Sequence, residues 1–384
     1  MKIVYIYTAI LEVGGVDRIL TQKANYLAEK MGHEVYVITD SQAGKPTTFP
    51  LSPLVKHIDL DVDFDQQYRH GLLLRTWYYF TLMREYKKRL KAKLMELRPD
   101  VTITVLGREM DFLMKIKDGS RKVGESHIAK QFCRNFHLLE QRSFPYPMIA
   151  RHWRRKQEKA VAKLDELVLL TEHDRESWQD AKEGVVIPNA VAFYPNESST
   201  LNRKRCITVG RFTEQKGYDL LIQAWSLVAK KHPDWVIDCY GQGDKSHFQK
   251  LIEEQGLQQQ VRLHEASATI MQEYLDSSIY VMSSRFEGFG LVLVEAMACG
   301  VPCVSFDCPH GPSDIITDGE DGLLVKHLDV EALAQSICKM IENEEMRKAM
   351  GAAAKRNVAR YKEECIMQRW EELFKKGSKR VVKG

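Results

Sequence analysis

One structural unit is written twice along this chain: an apolar run of strand length, a glycine-bearing loop, an amphipathic helix and a second apolar run. Near the start, residues 2–7 (KIVYIY) read as a strand, Gly14-Gly15 lie in the loop, 16–31 reads as a helix and 33–39 as the next strand. The pattern returns with strand 206–209, loop 210–217, helix 218–231 and strand 235–240. Alternation then continues through helix 246–255, strand 261–264, helix 270–276, strand 279–283, helix 291–299 and strand 302–306. Strands separated by helices are joined by crossovers, so they line up in parallel, and parallel sheets take ligands beyond the carboxyl ends of their strands. The predicted class is α/β, with two such domains in tandem.

A length of 384 residues suits two domains. Between the two copies of the unit, 187–205 contains Pro188, Asn189, Pro195, Asn196 and the run Ser198-Ser199-Thr200, which is linker chemistry. The predicted domains are 1–190 and 191–365, with a terminal helix at about 366–384 packing back on the first.

The balance of 44% hydrophobic and 28% charged residues is that of a soluble globular protein. Eight scattered cysteines form no disulfide framework, and Cys299, Cys303 and Cys308 fall on three different elements, a poor basis for zinc; a reducing cytoplasm is expected. The opening apolar run is cut by Glu12 and Gly14-Gly15, so it reads as a strand and not as a signal peptide. A net charge of +4 gives no ground for a nucleic-acid partner. The charge is uneven, however: in 69–93, eight bases face the single acid Glu85, with Trp77, Tyr78, Tyr79 and Phe80 among them. Two readings stand: a helix on an anionic membrane surface, or a solvated helix whose aromatic face packs on its own domain.

Two loops carry chemistry. Gly210-Arg211-Phe212-Thr213-Glu214-Gln215-Lys216-Gly217 runs from a strand into a helix; Arg211 can fork onto phosphate oxygens and Lys216 can add a point charge, beside the amides of a helix start. In the segment 284–302, Glu287 and Glu295 stand eight positions apart, and Gly288 and Gly290 allow close backbone approach just before a helix. Two acids so spaced can hold the two ends of an elongated ligand such as a nucleotide sugar.

Together these segments resemble the retaining glycosyltransferases of family four, which have the GT-B fold of two Rossmann-like domains with parallel sheets facing across a cleft. The likeness extends to Gly14-Gly15-Val16-Asp17-Arg18, to 187–191 (IPNAV) and to 319–325 (GEDGLLV). It implies that Arg211 and Lys216 hold the donor diphosphate, that Glu287 binds hydroxyls of the transferred sugar and that Glu295 binds the ribose. It also implies amide contacts around Gly288, Phe289, Gly290 and Leu291, an approach of Gly15 to the phosphate, and His127 beside the sugar, with Arg211, Lys216, Glu287 and His127 as the catalytic set. At His127 the pattern departs, because relatives place Glu and His side by side and here Ser126 intervenes after Glu125. The stretch 308–316 is similar to the loop of relatives that use UDP-linked galactose or N-acetylhexosamines.

The expected activity is transfer of a hexose or N-acetylhexosamine from a UDP-linked donor to a glycan or lipid-linked glycan, with retention. No cofactor is expected: the nucleotide sugar is a substrate, and Arg211 with Lys216 supply the charge that a metal would bring. Asp59-Leu-Asp61-Val-Asp63 contains the Asp-x-Asp of a metal-dependent fold but reads here as a surface loop. Gly241-Gln-Gly243-Asp244 lacks the third glycine of a dinucleotide fingerprint. An epimerase or phosphorylase of the same fold, or a noncatalytic nucleotide-sugar-binding protein, are the alternatives. The expected location is the cytoplasm, peripheral on the inner face of the cell membrane.

Overall fold

The computed structural model describes residues 1–12, 14–69 and 71–378. Its contacts divide the chain into two compact units, Met1–Ile187 joined by the chain from Met367 onward, and Pro188–Ile366.

The first unit is built on seven parallel strands: β1 (Lys2–Tyr7), β2 (Glu34–Thr39), β3 (Val55–Asp59), β4 (Val101–Thr104), β5 (Arg121–Glu125), β6 (Glu166–Leu169) and β7 (Val185–Val186), in the order β3-β2-β1-β4-β5-β6-β7. The second has six: β8 (Arg205–Val209), β9 (Val236–Tyr240), β10 (Val261–His264), β11 (Ile279–Met282), β12 (Cys303–Phe306) and β13 (Gly322–Val325), in the order β10-β9-β8-β11-β12-β13, again all parallel. Both are Rossmann-like α/β sheets. Ile3, Val4, Tyr5 and Ile6 of β1 are fully buried, as an apolar run covered on both faces must be.

In each sheet the chain first builds outward on one side of its opening strand and then restarts on the other. The resulting switch points lie between β1 and β4 and between β8 and β11. At such a point the loops leaving the two strands diverge and open a crevice.

The aromatic, basic segment divides by face. Within the helix Leu72–Leu97, Tyr86, Leu90, Leu94 and Leu97 recur at helical spacing and pack with Val4, Ile38 and Phe112 in the core, joined by the partly buried Tyr79. Trp77 and Phe80 face outward, 60% and 61% exposed. His70, within the 69–93 segment, lies outside the described residues, as do the side chains of Arg69, Leu72 and Leu73. No described helix is long and apolar enough to cross a membrane.

The last helix, Glu363–Ser378, buries Trp370 and Phe374 completely. Glu371 meets His33 at 2.9 Å, and Arg121 Nη1 donates to the carbonyls of Leu373 and Phe374 at 3.3 and 3.2 Å, which ties this helix to the first unit. Residues 379–384 lie outside the described residues.

The aspartates of 59–65 are used in folding. Asp59 closes β3 and accepts bonds from the Thr39 hydroxyl at 3.0 Å and the amides of Gln42 and Ala43 at 3.2 and 3.1 Å. Between them Val62 and Phe64 turn into the core, so the segment is half interior and only its Asp61 and Asp65 side chains are exposed.

Candidate active site

The loop after β8 and the loop after β11 flank the second switch point, and they are stapled together. Gly217, at φ 63°, closes the first loop; a Cβ there would stand 2.1 Å from the Ser283 carbonyl oxygen, so only glycine lets the loops approach this closely. The Arg285 amide donates to the Gln215 carbonyl at 2.8 Å, and its guanidinium binds both oxygens of Asp219 at 2.8 and 2.7 Å in a bidentate fork. Gln215 Nε2 donates to the Phe286 carbonyl at 3.0 Å.

This stapling brings Lys216 to Glu287. Lys216 Nζ and Glu287 Oε1 are 2.7 Å apart, with side-chain exposures of 17% and 7%. The Ser284 hydroxyl donates to the same oxygen at 2.6 Å. Arg211, on the same loop, is exposed and has no side-chain partner among the described residues.

Past Glu287 the backbone runs through Gly288, Phe289 and Gly290 into the helix Leu291–Ala298. Gly290 adopts φ 96° as the N-cap, and the amides of Gly288, Phe289, Gly290 and Leu291 have no acceptor among the described residues. Four unbonded N–H groups at the positive end of a helix form a cradle for an anion. The Phe289 ring is buried against Tyr361, 5.5 Å between centroids, and Gly311 approaches its carbonyl so closely that a Cβ would meet the oxygen at 2.1 Å. The Glu287 amide donates to the Pro309 carbonyl at 3.2 Å, so the 308–311 turn braces the cradle from behind.

Glu295 lies two helical turns on and is 1% exposed, its Oε2 accepting from the Tyr274 hydroxyl at 3.2 Å. The structure therefore brings Lys216 and Glu287 into contact and sets Glu295 apart with Tyr274, at the other end of the helix start.

In the first unit, Gly15 is the exposed first residue of the helix Gly15–Glu29, in the loop leaving β1. The buried Asp17 ties that loop down by accepting from the Tyr7 hydroxyl and from the Glu12 amide, the latter at 2.8 Å; burial raises its carboxyl above the ordinary value. The His127 side chain is 5% exposed, with Nε2 3.3 Å from Glu125 Oε1. Glu125 is buried against the Lys23 ammonium, which also lies 4.2 Å over the Trp370 ring. Burial pushes the Glu125 carboxyl up, but Lys23 and His127 outweigh it and hold it down at about 2. The Ser126 that interrupts Glu and His thus leaves the two side chains paired.

Residues 194–357 match the family Glycosyl transferases group 1, and these are the residues that carry Lys216, Glu287 and Glu295. The second unit, over nearly all of its length, is a group 1 glycosyl transferase domain. The chain is 27% identical over 380 residues to an uncharacterized glycosyltransferase of Haemophilus influenzae, covering 97% of this chain and 99% of that one. It is 35% identical over 219 residues to an exopolysaccharide phosphotransferase of Streptomyces coelicolor, covering 55% of this chain but only 23% of that longer relative. A crystal structure of a TarM mutant from S. aureus with fondaparinux, α-GlcNAc-glycerol and UDP shares the fold, with a TM-score of 0.75 and 17% identity over 97% of this chain and 99% of that one.

Four partners in this candidate site escape sequence reading: Ser284, Arg285 with Asp219, and Tyr274. Ser284 and Arg285 lie inside the motif itself, but nothing in local spacing marks which of them turns inward. Tyr274 comes from a different helix, Ile270–Leu275, and no short-range pattern points to it.

Proposed function

We propose that this chain moves a hexose or N-acetylhexosamine from a UDP-linked donor to a glycan or lipid-linked glycan, with retention and without a metal ion. The second unit binds the donor and the first binds the acceptor. The observation that carries the reading is the Lys216–Glu287 pair at 2.7 Å beside four unbonded amides. A diphosphate placed on that cradle meets the Lys216 ammonium and the free Arg211 guanidinium. Glu287, next to it, accepts from hydroxyls of the attached sugar, and Glu295 accepts from the ribose. UDP is favoured because TarM, which shares the fold, was crystallised with UDP.

Rupture of a glycosyl phosphate leaves positive charge on the sugar and negative charge on the departing diphosphate. Lys216, Arg211 and the amides of Gly288–Leu291 stabilise the latter as it develops, in a site whose dipoles are already oriented. Glu287 is engaged by Lys216 and Ser284, which suits a hydroxyl acceptor rather than a nucleophile. The leaving phosphate itself takes the proton of the acceptor hydroxyl on the front face of the sugar. His127 and Gly15 keep the parts implied by the resemblance.

The helix Leu72–Leu97, with Trp77 and Phe80 outward among its bases, is assigned to an anionic membrane surface, which makes the protein peripheral on the cytoplasmic face. No nucleic-acid partner is assigned. An epimerase or phosphorylase would need further catalytic carboxylates or a cofactor lysine at the cradle.

Release of nucleotide from purified protein with a panel of UDP- and GDP-sugars tests the reading. Slow hydrolysis of one donor that is lost in Lys216→Ala supports it; absence of turnover with every donor and acceptor extract leaves a binding protein.

A further inference from the structure

We infer that the first unit holds a phosphate subsite at its own switch point, between β1 and β4, and that it receives a phosphate ester of the acceptor. This rests on the transferase reading above. The topological rule that places the donor cradle between β8 and β11 selects, in the first sheet, the loops leaving β1 and β4. The turn Arg108–Asp111 follows β4 directly.

The backbone that delivers this turn is strained. Leu106 sits at φ 59°, a region that a leucine rarely occupies. The buried Glu109 holds it there by accepting from the Thr104 hydroxyl and, at 2.9 Å, from the Gly107 amide. Arg108 is thereby laid on the Phe64 ring, 3.9 Å from its centroid, with Nη1 buried and lacking a hydrogen-bond partner among the described residues. The nearest acid is Asp40, whose Oδ1 is 3.9 Å away, too far for a hydrogen bond. At the other end of the turn Asp111 is shared by Arg134 at 3.2 Å and Lys156 at 3.1 Å, and Arg134 is also at positive φ, 53°.

Three cations, Arg108, Arg134 and Lys156, therefore stand among Asp40, Asp111 and Glu109, but Glu109 is spent on the Thr104 hydroxyl and the Gly107 amide, and one Arg108 guanidinium nitrogen is desolvated without an acceptor. A phosphate ester offers that nitrogen a charge-assisted acceptor and has further oxygens for Arg134 and Lys156, whereas a neutral hydroxyl offers one weaker acceptor. The surrounding field has the same sign: residues 72–97 hold seven Lys and Arg, and 134–163 hold eight, each against two acids, although the whole chain carries only +4.

Calorimetry with a short glycerol phosphate oligomer, with glycerol as neutral control, tests the site. Wild-type protein should bind the oligomer and not glycerol, and Arg108→Gln should weaken that binding by about tenfold or more while UDP affinity stays within about twofold. If Arg108→Gln does not fold, Lys156→Gln, at a side chain 43% exposed, is read in the same way. Equal oligomer affinity in wild type and variant, or no oligomer binding by wild type, overturns the subsite. Vesicles of phosphatidylglycerol form the second arm: vesicle binding unchanged by Arg108→Gln is the membrane contact assigned above to the helix Leu72–Leu97, and when it comes without oligomer binding it overturns the subsite. Failure of the transferase reading is separate, since it would appear as loss of UDP binding and donor hydrolysis by the wild type.

Discussion

Lys216 and Glu287 lie 71 positions apart in sequence, on loops leaving adjacent strands, and their side chains meet at 2.7 Å in a largely buried pair. Each is thus the other's nearest charge partner before any ligand arrives. Under the proposed function, a diphosphate entering the cradle would compete for the lysine and free the carboxylate toward the sugar, which would link binding and activation of the two ends of the donor.

Lys216→Met should lower donor turnover about 100-fold, the size of effect seen when one preorganised charge stabiliser is lost. It should also destabilise the fold, by on the order of 2 kcal/mol, because Glu287 is left buried without its partner; a fully buried pair would lose about 3–5 kcal/mol. Urea unfolding checks the second effect, and the double variant Lys216→Met, Glu287→Gln should recover part of the stability but none of the activity.

Glu295 and Tyr274 predict a different kinetic signature. Glu295→Gln removes the charge and turns one of the two acceptor oxygens into a donor; a ribose held there would lose that contact equally in ground and transition states, so KM for the donor should rise by the equivalent of about 1–3 kcal/mol with kcat little changed. Glu287→Gln should lower kcat chiefly. Steady-state kinetics showing the same split between kcat and KM in both variants would contradict the two assignments.

Asp40 gives a pH prediction. Burial raises its carboxyl from 3.8 to about 7, opposed by Arg108 and the Ser41 hydroxyl and assisted by Glu109 and Asp59. The native state then holds a proton that the unfolded chain has already released. Stability from this group is present below about pH 4 and falls as pH rises toward 7. Asp40→Asn should be more stable than wild type at pH 8, and the difference in Tm should shrink as pH falls to 5. A constant difference across that range would show that Asp40 does not titrate there.

Glycine at position 311 is required by contact as well as by φ, 111°, since a Cβ would strike the Phe289 carbonyl at 2.1 Å. Gly311→Ala should displace the cradle, weakening UDP binding by more than about tenfold, with a lower Tm. Unchanged UDP affinity would mean that the turn does not brace the amides.

The second unit is largely legible in its sequence because four of its strands, β8, β9, β11 and β12, lead into a glycine-bearing loop; β10 matches to the residue, and the other predicted strand ends differ by at most one. The strands after β2 in the first unit are not. β4 and β6 are four residues long, β7 only two, and β5 (RKVGE) carries charges that are satisfied by Asp118, Lys23 and the last helix, contacts that no local pattern reveals. At the site, residue types and spacing indicated an anion loop and two acids. That Lys216 pairs with Glu287, and that Glu295 pairs with Tyr274, follows only from the strand order that puts β8 beside β11. The paired Glu125 and His127 were hidden by Ser126, and Arg108 by a backbone turn at Leu106 that leucine does not advertise.

The most direct measurement is a crystal structure with UDP bound. The diphosphate should lie within hydrogen-bonding distance of Lys216, Arg211 and the amides of Gly288–Leu291, with the ribose on Glu295. Nucleotide bound elsewhere, with the Lys216–Glu287 pair undisturbed and the four amides empty, would contradict this placement.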